Sequence, residues 1–475
     1  MFDTGRMKRR LWHFLLRRSD AAGLLEKSEK LLLRTAAAAI REVPHYRRMG
    51  LPATFRNLEE FRSRFPLQDK SSTFLATSVA DLCRGGQLPE LATMVTSSGH
   101  SGKFAYGLVD HRQYRRLPDA IDFGLDLAFG TDRRKTLLIN CLPMGVRVHA
   151  RAATVAEVSV REDMAMALIR SFHEAYEQIV IVADPLFAKR LLDHARETGF
   201  DWSGLRVNFV IGEETFAENF RDYLGRCCHI DPDDPEDGLI ASSMGTGELG
   251  LNLFFEMRET IALRRLCQRD AACRRQLFAR DGKTAPMLFV YDPLRCHVEI
   301  AEPDADGIGE IAISLLGRQT PLPLLRYRTG DIGRLIEPAL GRHLITRHFG
   351  PDAVPPLPMI AVYGRDRDRV NEYHDLLDFK AALYRDAALA DHLSGAFRIE
   401  TDSGRTLIHI QLARGYSPMP ELERRAEAAF SGIGWPCLHE HDDFPYGLGL
   451  DYERKFTYWD PQDRRRGHNR DRRAV

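Results

Sequence analysis

Thr96-Ser-Ser-Gly-His-Ser-Gly-Lys103 is a run of small hydroxyl residues and two glycines closed by a lysine. Such a loop lets backbone N–H groups approach a phosphate closely at Gly99 and Gly102. Thr96, Ser97 and Ser98 add hydroxyl donors and Lys103 adds charge. The spacing departs from the common P-loop: two residues separate Gly99 from Gly102, and Phe104 follows the lysine. Taken alone, the composition also suits a flexible Gly/Ser turn. Ser242-Ser-Met-Gly-Thr-Gly-Glu248 puts a carboxylate after a Gly-rich turn. A carboxylate there could hold Mg²⁺, a hard cation that prefers oxygen, and an ordinary turn would read the same. In Arg326-Tyr-Arg-Thr-Gly-Asp331 an aspartate on a Gly turn could accept hydrogen bonds from a ribose diol; a structural hairpin turn is the plainer alternative. Lys455, within Leu450-Asp-Tyr-Glu-Arg-Lys-Phe456, is either a reactive-site charge or a solvent-exposed lysine. The chain carries only ten lysines among its 67 basic residues. A lysine here is a minority choice, a compact charge on a flexible stem where arginine would give a rigid fork.

These residues need elements to position them. Leu137–Asn140, Ile179–Ala183 and Leu205–Ile211 read as buried strands, with helices over 185–198 and roughly 214–225 between and after them. Strands alternating with helices predict right-handed crossovers and a parallel sheet. Ligands of such sheets sit at the carboxyl ends of strands, where Gly212-Glu213-Glu214 falls. A helix over 24–42 precedes this region. Strands at 287–291, 309–314 and 324–335 follow it. At Gly364-Arg-Asp366 the texture changes. A hairpin over 397–411 and a helix over 419–430 make a small α+β unit. From Gln462 on, the chain is Arg-rich and polar and is expected to be disordered.

At 475 residues the chain is long enough for two or three domains. Lys+Arg and Asp+Glu are both 67, a balance that calls for no nucleic-acid partner. Eight cysteines in this length do not make a secreted disulfide framework. The apolar run Leu11–Leu16, flanked by basic residues, is too short for a signal core or a transmembrane segment. A surface helix is expected there, with weak membrane-surface contact as the alternative. The setting expected is reduced and cytoplasmic. Cys227-Cys228-His229 and Cys296-His297 lack the spacer of a zinc motif and are read as thiols without metal. Ser97, His149 and Asp184 could be assembled into a hydrolase triad, but no Gly-x-Ser-x-Gly elbow supports one.

Taken in order, from Pro66-Leu-Gln-Asp-Lys70 to Lys455, these segments resemble the adenylate-forming superfamily of acyl-CoA synthetases, firefly luciferase and peptide-synthetase adenylation domains, and most of all its phenylacetate–CoA ligase branch. The resemblance implies an α/β fold: a large N-terminal adenylation domain with mixed and parallel sheets flanked by helices (1–363), a small mobile α+β C-terminal domain (364–461), and a tail (462–475). It implies ATP-dependent activation of a carboxylic acid, aromatic or acyl, to an acyl-adenylate, then thioester formation with coenzyme A. A carrier-protein thiol or an amine is the alternative acceptor, and a nucleotide-binding member with degenerate activity a further one. By resemblance, Thr96 to Lys103 covers the β,γ-phosphates, and Gly212, Glu213 and Glu214 line the adenine. Met244, Gly245 and Thr246 lead to Glu248, the magnesium ligand. Asp331, assisted by Arg365, binds the ribose hydroxyls; Asp366 is the hinge; Lys455 reaches the substrate carboxylate and the α-phosphate. Met244 stands where the family has an aromatic residue, Gly247 where it has a Ser or Thr, and His100-Ser101 where it has Thr-Thr. The oligomeric state stays open, a dimer being one outcome. The acid is unreadable because its pocket is built from scattered side chains.

Overall fold

Apolar runs that bury every residue build the centre of the molecule. The computed structural model describes residues 4–97, 104–143, 145–234, 236–280, 282–317, 320–402, 405–447, 452 and 454–460. Among these the strands are β1 Leu91–Thr96, β2 Tyr106–Asp110, β3 Thr136–Asn140, β4 Thr154–Glu157, β5 Gln178–Ala183, β6 Val207–Ile211, β7 Ile240–Thr246 and β8 Gly250–Phe255. They continue with β9 Met287–Tyr291, β10 Cys296–Ala301, β11 Gly309–Leu315, β12 Tyr327–Ile336, β13 Met359–Arg365, β14 Leu393–Asp402, β15 Arg405–Leu412 and β16 Trp435–His439. Eleven of them form one mixed sheet in the order β10-β11-β12-β13-β9-β8-β7-β6-β5-β3-β4. From β4 to β7 the pairing is parallel; from β7 to β10 it is antiparallel. β3 and β5 are buried at every position, as strands covered on both faces must be. Helices Glu162–Phe172, Pro185–Glu197 and Glu218–Cys228 make the crossovers. The second begins where Asp184 caps Phe187 N–H at 3.0 Å and Pro185 takes the first helical position.

Several boundaries differ from the sequence reading, and two of them have a local backbone cause. The helix expected from about 214 begins at Glu218, because Glu213 takes φ +65° and turns the chain away from helical geometry. The strand expected from 324 begins at Tyr327: Arg326 takes φ +48°, and its N–H bonds the Ser314 hydroxyl at 2.9 Å.

A buried charge network anchors β7. Arg221 pairs with Glu218 and with Glu256 at 2.9 Å, and Arg264 reaches Glu218 at 2.8 Å. Burial would raise the Glu218 carboxyl, but Arg221 and Arg264 pull it to about 2. Glu256 in turn accepts the Ser242 N–H at 2.9 Å.

β14, β15 and β16 form a separate sheet, antiparallel then parallel. Helix Pro420–Ala429 buries Leu422, Ala426 and Ala429 in the same cluster as Ile408 and Ile410. At the other end of the chain, helix Thr4–Arg17 lies on helix Leu117–Phe129. Arg9 reaches Asp122 and Asp132, and His13 reaches Asp126 at 2.7 Å, while Leu11, Phe14 and Leu15 face outward. Among the described residues no helix is long and apolar enough to cross a membrane.

Candidate functional site

β1 and β2 are the arms of a hairpin. Ser97 closes it: its N–H donates to the Ala105 carbonyl at 2.9 Å, and its Oγ accepts the Ala105 N–H at 3.0 Å. Lys70 Nζ donates to the same Oγ at 3.1 Å. Thr96 and Ser97 therefore sit at the root of the loop read as a phosphate loop. Ser98, Gly99, His100, Ser101, Gly102 and Lys103 lie outside the described residues.

The hairpin rests on the turn between β7 and β8. A Cβ at Gly247 would stand 2.6 Å from the Thr96 carbonyl oxygen, and one at Gly107 would stand 2.1 Å from the Gly247 oxygen. Two backbones meet there with no room for a side chain. A Ser or Thr at 247 would push the hairpin off, so the glycine that reads in sequence as a missing hydroxyl is required by packing. Gly245 is equally tight, 2.6 Å from Gly250 O. Thr246 Oγ1 accepts the Leu249 N–H at 3.3 Å. Met244 packs its partly buried side chain against the main core.

Glu248 ends this turn and is buried. Its Oε1 accepts the Tyr327 hydroxyl at 3.0 Å, while its Oε2 has no hydrogen-bond partner among the described residues. A buried carboxylate oxygen left open is costly unless something binds it. A hard divalent cation such as Mg²⁺ fits that donor.

Tyr327 opens β12, and four residues along stands Asp331. The register sets Asp331 opposite Arg365 on β13. Arg365 Nε donates to Asp331 Oδ1 at 3.2 Å, and Asp331 Oδ2 is buried without a partner among the described residues. Burial raises the Asp331 pKa, against the pull of Arg365 and Lys455. Lys455 thus acts on this carboxylate from the other unit. Its Nζ donates to the Glu213 carbonyl.

Gly212 closes β6, with its N–H on the Ala183 oxygen at 2.9 Å. Beside it Glu214 receives Lys380 Nζ at 2.5 Å, and Lys380 also donates to Thr215 O at 3.1 Å. Asp184, pushed up to about 7 by burial and by Glu214 and Glu213 against its capping bonds, faces the same cleft. Pro143, Asp184, Glu213, Glu214, Tyr452 and Lys455 are among its lining residues. Segments far apart in sequence therefore converge on one cleft at the carboxyl end of the parallel strands.

Three residues of this arrangement had no role in the sequence reading. Tyr327 stands inside a quoted motif and holds Glu248. Lys70 supports the hairpin root, and Lys380 grips Glu214. The scarcity of lysine was the available signal for the last two.

Among solved structures, the chain is similar to 2-hydroxyisobutyryl-CoA ligase in the postadenylation state in complex with 2-HIB-AMP. The TM-score is 0.65 at 15% identity, over 95% of this chain and 93% of that one. Against the same ligase with 2-HIB-AMP and CoA in the thioesterification state, the TM-score is 0.53 at 14% identity, over 90% and 88%. The fold expected from the sequence, a large mixed α/β unit with a small α+β unit, is the fold observed, and it is the fold of that ligase. No family model matches the chain, and no curated protein sequence does.

Proposed function

We propose that this chain, built on the fold of an acyl-CoA ligase, uses ATP to activate a carboxylic acid as its acyl-adenylate and passes the acyl group to coenzyme A. The observation that carries the reading is Lys455. A lysine from the small unit donates to the Glu213 carbonyl and acts on buried Asp331, between two segments that resemblance assigns to adenine and ribose.

The roles follow from what each atom offers. Asp331 presents an open carboxylate oxygen to a ribose diol, and Arg365 holds the other oxygen. Gly212, Glu213 and Glu214, with Met244, Gly245 and Thr246, form the adenine wall. By resemblance, the segment from Thr96 through Lys103 is assigned to the β,γ-phosphates. Glu248 Oε2 would hold Mg²⁺, whose charge offsets that of the phosphates. A carboxylate is already a nucleophile at neutral pH, so the first step needs positioning and charge rather than a base. Its oxygen bonds the α-phosphorus, the bridging P–O bond breaks, and pyrophosphate leaves. Lys455 holds the two anions together as they react. The coenzyme A sulfur then bonds the acyl carbon, the thiol proton is lost, and AMP leaves with the C–O bond electrons.

Large and small domains at 1–363 and 364–461 would alternate between the two steps, turning at Asp366. Support comes from β13, which ends at Arg365, and from Gly364, whose φ of +102° falls at a register shift near the end of that strand. The motif set favours the phenylacetate–CoA ligase branch, with an aromatic or acyl carboxylic acid as substrate. Eight free cysteines support a reducing, cytoplasmic setting. The test is pyrophosphate release with ATP and Mg²⁺ over a panel of aromatic and aliphatic carboxylic acids, followed by thioester detection with coenzyme A. Acid-dependent release is expected. Nucleotide binding without release for any acid would overturn the reading.

A further inference from the structure

The small domain carries a cluster that the proposed reaction does not use. His409 on β15 stands in register with Cys437 on the parallel strand β16, and His439 follows Cys437 by two residues. Side chains two apart on a strand share a face, as do direct neighbours across a pair. The three therefore project from one face of the sheet, opposite the face on which Ile408 and Ile410 join the core. One ligand atom from each lies within 4.8 Å of the others. His409 Nδ1 and His439 Nε2 are 2.9 Å apart. Phe444 and Tyr446 cover the group, with ring centroids 6.1 Å from His439 and 5.8 Å from His409.

We propose that His409, Cys437 and His439 bind one zinc-class divalent ion, with the fourth position open to water or to a side chain. A tetrahedral zinc site with two nitrogens and one thiolate sets its donors roughly 3.3–3.6 Å apart. The two rings need separate by only a few tenths of an ångström to admit the ion, and the thiol need move in by no more than about 1 Å. The other nitrogen of His409 faces Glu400, with Nε2 3.6 Å from Oε2, and the Tyr446 hydroxyl donates to Glu400. A carboxylate behind a ligating histidine fixes its ring and tautomer. Arg398, opposite His409 on β14, directs its guanidinium to the Thr457 carbonyl and the Tyr446 ring. The ion would tie β15 to β16 just before residues 440–447, on the way to Lys455.

The test uses the full-length chain after removal of metal by a chelator. Calorimetric titration with Zn²⁺ should show one tight equivalent. Co²⁺ in its place should give a thiolate-to-cobalt charge-transfer band. Cys437→Ser should abolish the band and weaken Zn²⁺ binding at least about ten-fold, and His439→Gln should weaken it similarly. Cys227→Ser, altering a half-buried thiol in the large domain, should change neither. Should Cys437→Ser not fold, the parent protein still decides: Zn²⁺ should protect Cys437 from alkylation, as mapped by mass spectrometry. Failure to bind an equivalent, a cobalt band that survives Cys437→Ser, or alkylation of Cys437 unaffected by Zn²⁺ would each overturn the proposal.

Discussion

Asp331 and Lys455 act on each other's charge and are held in place by opposite means. Asp331 is fixed by the sheet. Its place is set by the pairing of β12 with β13, its side chain is buried, and its partner Arg365 stands across the ladder. Glu248 is fixed in the same way, by the β7–β8 turn and the Tyr327 hydroxyl. Lys455 stands in a half-buried segment without regular secondary structure and donates to one backbone oxygen of the large domain. Its domain meets the large one through Lys380–Glu214 at 2.5 Å, Arg226–Asp391 at 2.7 Å and Thr284–Asp378 at 2.7 Å, and through an apolar seam where Tyr384 packs on Phe220 and Tyr223 and Leu186 joins the small unit's core. Groups on a sheet hold one geometry, while a group on a docked domain can be delivered and withdrawn.

The sharpest way to break the contrast is at Lys455. If its charge acts during adenylation and then leaves, Lys455→Ala should lose adenylate formation by about two or more orders of magnitude, roughly 3 kcal/mol of transition-state stabilisation. Given a synthetic acyl-adenylate, the same variant should make thioester at a near-parental rate. Equal damage to both half-reactions would place Lys455 with the fixed groups. Asp331→Ala tests the other side and should cut ATP affinity in both states. The lost charged acceptor is worth roughly 1.5–3 kcal/mol, or about ten- to 150-fold. The sign of the pH effect follows from burial. Burial holds the Asp331 carboxyl above its ordinary value, and its ionised form would be the stronger acceptor for a ribose diol. ATP affinity should therefore fall as pH drops through that raised value, earlier than an exposed aspartate would allow. Equilibrium nucleotide binding between pH 4 and 7 measures it.

The same distinction explains what could be read from the sequence. Strands such as Ile179–Ala183 and helices such as 185–197 were legible because burial on both faces and capping chemistry are local properties of the chain. The Gly turns that carry Asp331 and Glu248 were legible because a Gly turn before a carboxylate is a local pattern. Gly247 was not, because its reason is the Thr96 backbone about 150 residues earlier, and no local pattern encodes that contact. Tyr327 and Lys380 were missed for the same cause: their partners Glu248 and Glu214 come from other elements. The His409–Cys437–His439 cluster, likewise, exists only once β15 and β16 are paired.

Glu248→Gln should act on the fixed side, but conditionally. The amide keeps the shape and the bond to Tyr327, and removes the anion that would draw a cation. Turnover should fall several-fold at limiting Mg²⁺ and recover in part at excess, with thermal stability unchanged. The same Mg²⁺ dependence in variant and parent would detach Glu248 from the metal.

The smallest effect expected is at Lys380, and it separates docking from chemistry. Lys380 lies outside the reacting groups, yet its ammonium meets Glu214 with both side chains nearly buried, 10% and 6% exposed. Removing one partner leaves the other's charge desolvated in the docked state, while undocking returns it to water. Lys380→Met should therefore weaken docking without touching Lys455, Asp331 or Glu248. If adenylation uses the docked state, its rate should fall by the fraction of molecules undocked. A charged hydrogen bond is worth roughly 1.5–3 kcal/mol, and part of that loss is absorbed by whatever margin the docked state holds. A decrease of about three- to ten-fold is then expected, well short of Lys455→Ala. Thioester formation from the synthetic adenylate should hold steady or rise, because it uses the other arrangement. The unfolding transition of the large domain should not move. If both half-reactions slow together, Lys380 supports the fold of the cleft. If adenylation alone slows, the charge at Lys455 is delivered by docking, and Glu214→Gln should reproduce the effect from the opposite side of the interface.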